Sequence, residues 1–221
     1  MTVPSGGMAF SDIRQELVTQ RFGVALSTSI NRWINTRYGM VWADSEWPFK
    51  KVRRESWAVT GAAPQMPPAY WKTTRLERQD GEKMLYLAPD DFDDSYPIGT
   101  PIGNLPEAYT VIAGQLYIGP TAGAQTMYHS YERRPCHYDA TDTIIPGLLS
   151  VDTDYPLWPP EFHYVLVVGA MATGLKVQND ITWDSLEQEF GTILTSMRED
   201  LLPPDLYGTT QYGRDQQDAY A

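Results

Sequence analysis

The sequence predicts an α+β fold in which N- and C-terminal helix pairs form a helical bundle with an inserted antiparallel β domain. Three observations predict it. Apolar residues recur at helical spacing near both ends of the chain, the period drops to two in the middle, and every end stripe needs a partner to cover it. Burying those stripes together brings the first and last helices into one layer, so the helical part is discontinuous in sequence. At 221 residues the chain is long enough to bury such a core.

Residues 1–9, with Pro4, Gly6 and Gly7, read as an N-terminal arm. The bundle is expected over 10–49 and 159–202. Ser11 suits an N-cap, with Ile13, Leu17 and Val18 on one side of a helix that Gly23 ends after Phe22. A second helix starts near Ser27 or Thr28 and carries Ile30, Trp33, Ile34, Tyr38 and Val41 as one stripe, with Pro48 as its outer limit. Pro159, Pro160 and Glu161 favour a third start. The run from Phe162 to Gln178 is apolar around most of its circumference, and Gly169, Ala170, Ala172 and Gly174 admit close neighbours. Thr182 is placed to cap a last helix bearing Trp183, Leu186, Phe190, Ile193, Leu194, Met197 and Leu201, which Pro203-Pro204 stops. Residues 203–221 are polar and tyrosine-dotted, a C-terminal arm.

The antiparallel insertion is expected over 50–158. Trp57 and Val59 alternate with small or polar residues. Arg75 to Arg78 and Met84 to Leu87 flank Asp80-Gly81, a hairpin turn signal. Tyr109 to Ile112 and Gln115 to Ile118 flank Ala113-Gly114, another. Thr126 to Glu132 reads as a further strand. The prolines and glycines between these runs favour an antiparallel arrangement.

The net charge of −11 is uneven: residues 1–138 balance 14 Lys and Arg against 14 Asp and Glu, whereas residues 139–221 carry 3 against 14. Such a chain lacks the basic footprint of a nucleic-acid binder, although an acidic surface can line a channel that DNA passes without sticking. The longest apolar stretch, Val165 to Leu175, falls short of the roughly 18–20 residues a membrane span needs. Met1 to Phe10 lacks the pattern of a signal peptide, and the single cysteine, Cys136, permits no internal disulfide, so synthesis in a reducing cytoplasm is expected.

Chemistry-bearing patterns are sparse. His129, His137 and His163 form neither HExxH nor an i, i+4 pair, and no phosphate-cradling glycine motif or GxSxG elbow occurs. Cys136 and His137 are adjacent, which on an extended chain points them apart. The run Asp90-Asp91-Phe92-Asp93-Asp94 offers oxygen ligands to calcium or paired carboxylates to a glycosidase, but lacks EF-hand spacing and equally suits a capped turn. No catalytic residue, cofactor or metal is assigned. Two surface candidates remain. Lys50, Lys51, Arg53 and Arg54 read as a nucleic-acid patch, a charge-guarded edge strand, or a contact with the acidic third of a neighbouring copy. Tyr70 and Trp71, after a proline-rich stretch, read as an exposed loop contact. The other tryptophans fall on helix or strand stripes and read as core.

The order of segments resembles the head-to-tail adaptor (head-completion, or upper neck connector) proteins of tailed phages. Its carriers are the second helix running into Trp47-Pro48-Phe49, then Tyr86-Leu87-Ala88-Pro89-Asp90-Asp91-Phe92, Pro106 to Tyr109, the hairpin to Gly119-Pro120, Tyr131-Glu132-Arg133-Arg134-Pro135, and Pro159-Pro160-Glu161-Phe162. The resemblance spans residues 10–201 and departs at Ala88 and in a longer polar C-terminal arm. It implies a non-enzymatic homo-oligomer, a ring of twelve copies in the neck of the virion. Such a ring sits beneath the portal protein, extends a channel for DNA without reading its sequence, and docks the next neck or tail protein. No membrane is involved. Within that reading the arm residues Leu206, Tyr207, Tyr212 and Tyr220 become interface candidates, since residues 205–221 extended at about 3.3 Å each reach on the order of 55 Å. The alternatives are a tail-tube or tail-terminator subunit and a metal-dependent carbohydrate-active module at Asp90 to Asp94.

Overall fold

The structure, a computed structural model, describes residues 7–97, 105–120 and 124–202. Among them are α1 (Phe10–Leu17), α2 (Ser27–Asp44), α3 (Pro89–Ser95), α4 (Val165–Val177) and α5 (Trp183–Leu201). The strands are β1 (Lys51–Val59), β2 (Tyr70–Arg78), β3 (Leu85–Tyr86), β4 (Ala108–Ile112), β5 (Gln115–Gly119), β6 (Gln125–Arg133), β7 (Cys136–Tyr138), β8 (Ile144–Pro146) and β9 (Tyr155–Pro156). The fold is α+β with small, mainly antiparallel sheets. The described residues fall into two compact units, one drawn from Met1–Phe49 and Pro135–Ala221, the other from Lys50–Arg134.

In the first unit, α1 starts two residues earlier than an N-cap at Ser11 implies, with Ala9 at the N-cap position. The Ala9 N–H donates to the Asp12 carboxylate at 2.9 Å, and the Phe10 and Ser11 N–H groups donate to the carbonyls of Asp154 and Asp152 at 2.7 and 3.0 Å. Backbone from residues 152–154 thus does the work of an N-cap side chain. After Leu17 the chain widens into a π-turn over Val18–Phe22, which Gly23 ends at φ +67°. The stripe on α2 is buried in full: Ile30, Trp33, Ile34, Tyr38 and Val41 are at most 4% exposed. A 3₁₀ turn occupies Pro160–Phe162, so α4 starts only at Val165. At the head of α5 Thr182 holds the N-cap position, but its side chain makes no cap bond; instead the Asp180 carboxylate accepts the Thr182 N–H and hydroxyl at 2.9 and 2.7 Å and the Arg21 guanidinium at 2.8 Å.

The small residues of α4 are points of closest approach. A Cβ on Gly174 would lie 2.5 Å from the Phe22 ring and 2.6 Å from that of Trp33, both buried. On the outer side of α5, Gly191 has open space. The same substitution therefore has opposite signs at the two sites. Gly174→Ala is expected to destabilise by about 1–3 kcal/mol through overpacking. Gly191→Ala is expected to stabilise by about 0.5–1 kcal/mol through helix propensity. Urea unfolding of the two variants checks both signs.

Strands β7–β9, which the sequence reading groups with the 50–158 insertion, belong to this first unit as an antiparallel sheet ordered β8-β7-β9. The Tyr38 hydroxyl donates to the Cys136 carbonyl at 2.5 Å, and His137 meets Asp154 at 3.2 Å between buried side chains.

The second unit holds sheets β1-β6-β2 and β3-β4-β5. Its core is Val59, Leu76, Met84, Tyr109, Leu116, Ile118 and Met127. Ala113 and Gly114, both at positive φ, turn β4 into β5 with Ile112 opposite Gln115, as the turn signal requires. The Asp80-Gly81 turn also forms, yet its hairpin does not continue. After a bridge between Glu77 and Lys83, Met84 drops into the core, and the Leu85 and Leu87 N–H groups donate to the carbonyls of Glu107 and Tyr109. The short β3 therefore pairs in parallel with β4.

Candidate interaction surfaces

Of the basic run, Lys50 closes a 3₁₀ turn over Pro48–Lys50, Lys51, Arg53 and Arg54 lie on the edge strand β1, and the four cations differ in setting. Lys50 and Lys51 are half-buried; Arg53 and Arg54 are exposed. Register shifts between Val52 and Glu55, where Arg54 sits at φ +52°. That bulge lays the Arg54 guanidinium 4.8 Å over the Tyr128 ring and 3.2 Å from the Glu77 carboxylate. Arg75 pairs with Glu77 as well, and the Glu77 side chain is only 2% exposed. Lys51 and Lys72, from the two outer strands, both stand in register with Glu132. This sheet face presents a cation-rich ladder, Lys51, Arg54, Lys72 and Arg75, over Glu77 and Glu132. The contributions of Lys72, Arg75 and Glu77 escaped the sequence reading, because the register shift between Thr73 and Arg75, not strict alternation, brings Lys72 onto the face of Arg75 and Glu77.

Tyr70 and Trp71 open strand β2 rather than a loop, and they part company. Trp71 is 65% exposed; Tyr70 is buried, its ring 5.8 Å from His129 and 6.0 Å from Tyr131. Only Trp71 offers its side chain to a partner. Leu206, Tyr207, Tyr212 and Tyr220 lie outside the described residues.

The three histidines are all engaged structurally. His163 receives the Met8 N–H at Nδ1, 2.9 Å away, so Nε2 carries the hydrogen and donates to the Trp158 carbonyl at 3.0 Å. His137 lies 3.2 Å from the Gly147 carbonyl through Nδ1 and 3.2 Å from Asp154 through Nε2. His129 stacks 4.9 Å from both Trp57 and Tyr131, with Nε2 3.0 Å from the Thr73 hydroxyl. Burial pushes His129 down to about 4 and lowers His163 too. The unfolded chain takes up these protons near pH 6.5 and the folded one only at lower pH, so stability is full above that value and is lost as pH falls. His129 alone is expected to remove about 1 kcal/mol by pH 5.5. Urea unfolding at pH 7.5 and 5.5 measures the loss, and His129→Gln should reduce it.

Cys136 is fully buried. Asp90, Asp91, Asp93 and Asp94 are exposed on α3, with Pro89 at its first position and Phe92 inward. No three His, Cys, Asp or Glu side chains gather as a metal site among the described residues. No helix among them is long and apolar enough to cross a membrane.

One concave feature of the first unit has no counterpart in the sequence reading: a cleft of about 430 Å³ whose walls include Phe49, Tyr138, Tyr155, Trp158, Pro160 and Leu201. The signal for it was the density of proline and aromatic residues in Tyr155-Pro156-Leu157-Trp158-Pro159-Pro160.

Set against known families, residues 8–210 match the model described as SU10 adaptor protein. No curated protein matches the chain.

Proposed function

The chain belongs to the SU10 adaptor protein family, and from that premise we propose that it is a structural, non-enzymatic head-to-tail adaptor of a tailed-phage virion. Copies assemble into a ring, of twelve in our reading, beneath the portal. The ring prolongs the DNA channel and docks the next neck or tail component. Four helices act together as the ring's bundle, and the β unit supplies further contact surface.

The observation that carries this reading is the extent of the family match, which takes in residues of both compact units. Charge supports copy-to-copy contact: the cation-rich face of β1-β6-β2 complements the acidic residues 139–221 of a neighbour. Lys72, on that face, and Arg53, next to Arg54 on β1, are both exposed and are the cations to reverse. Light scattering and electron microscopy of the protein, alone and with portal, test the proposal. A large oligomer or a portal-bound ring is expected, weakened by Arg53→Glu with Lys72→Glu and by salt. A monomer that never joins a portal ring overturns it.

A further inference from the structure

We propose that the cleft of the first unit is the docking site for the chain's own residues Leu206 and Tyr207. Its floor, Tyr155 and Trp158, is buried; at its rim Pro48 is exposed and Phe49, Tyr138 and Pro160 are half-buried. Four prolines in its lining, Pro48, Pro156, Pro159 and Pro160, bring no N–H donors. The polar groups around it are largely spent. Both ring nitrogens of His163 are bonded, the Tyr155 hydroxyl donates to Asp142, and the carbonyls of Pro159 and Pro160 accept the N–H groups of Phe162 and His163. What remains on offer is apolar surface and aromatic ring face, which suits a leucine and a tyrosine better than a charged metabolite.

Position selects which segment comes. Leu201, at the end of α5, is itself part of the cleft wall, and the sequence continues as Leu202-Pro203-Pro204-Asp205-Leu206-Tyr207. Five or six residues extended cover roughly 17–20 Å, so the segment starts at the site and needs only to turn back on it. Tethering at that range gives an effective concentration on the order of millimolar, which favours the chain's own segment over that of another copy.

The test places a photo-crosslinking benzoylphenylalanine at Tyr207 in the full chain, with ¹⁵N-labelled and unlabelled copies mixed before irradiation. Cross-links from position 207 to Phe49 or residues 155–160, joining peptides of one isotopic type, are expected. Leu206→Ser should cut their yield by about ten-fold, the scale of losing one buried leucine. The same group at Asp218 should not mark the cleft. Peptide pairs joining labelled to unlabelled chains, cross-links elsewhere or absent, an equal yield from position 218, or a yield indifferent to Leu206→Ser would each overturn the proposal.

Discussion

Trp47→Ala is expected to destabilise the protein by about 3–5 kcal/mol, the largest single-residue loss we predict. Trp47 has no exposed surface, and its ring stacks on Phe49 with centroids 5.8 Å apart, in a cluster that continues through Trp158 to Tyr38. It also finishes a helix. The carbonyl of Val41 lies in the last turn of α2, beyond reach of the helix's own N–H groups, and the Trp47 indole N–H donates to it at 2.6 Å. Alanine removes both packing and donor. Trp47→Phe keeps most of the ring and loses the bond, so a cost nearer 1–2 kcal/mol separates the two contributions. Urea unfolding followed by circular dichroism measures both variants; a loss below about 1 kcal/mol for alanine would contradict the assignment.

Arg37→Ala is expected to cost about 3 kcal/mol. The Arg37 guanidinium, on α2, is 6% exposed; it donates to the Thr173 hydroxyl of α4 at 2.7 Å and to both Glu187 oxygens of α5 at 2.7 and 2.6 Å, and it covers the Phe190 ring at 4.8 Å. One side chain ties three helices. Its removal strands the carboxylate, while the Thr173 hydroxyl keeps its own bond to the Gly169 carbonyl at 3.0 Å; Glu187, 36% exposed, partly rehydrates and keeps the cost at the lower end of the range for buried pairs. Arg37 holds the Glu187 carboxyl below its usual range. This contribution is therefore present above the unfolded carboxyl pKa and lost as pH falls through the lower folded value. Replacing both partners by leucine should recover much of the loss, because the desolvated charges leave together. Urea unfolding of the single and double variants at pH 7 closes the cycle.

The helical stripes were legible because burial follows a 3.6-residue period whatever the partner: the stripe residues on α2 and Phe190, Leu194 and Met197 on α5 are buried as their spacing requires. The Ala113-Gly114 turn was legible because its backbone angles are set locally. What escaped was decided at long range. The capping of α1 comes from residues some 140 positions away, and the departure of β3 from its hairpin depends on the carbonyls of β4. The surface candidates divide on the same line. Arg54 and Tyr70 were readable as a cation and an aromatic ring; their engagement by Glu77 and by His129 depends on strand register.

The capping of α1 by residues 152–154 also has a consequence in time. During synthesis at about 5–20 residues per second, roughly 7–30 s pass between the appearance of α1 and of the backbone carbonyls that anchor it. Residues Lys50–Arg134 contain every strand partner of their own two sheets and can finish folding in that interval. The apolar faces of α1 and α2 wait for α4 throughout it. The nascent chain is therefore most exposed to misassembly and most dependent on chaperones before its last third is made. Slowing translation beyond codon 134 should lower the soluble yield more than the same delay placed after codon 202.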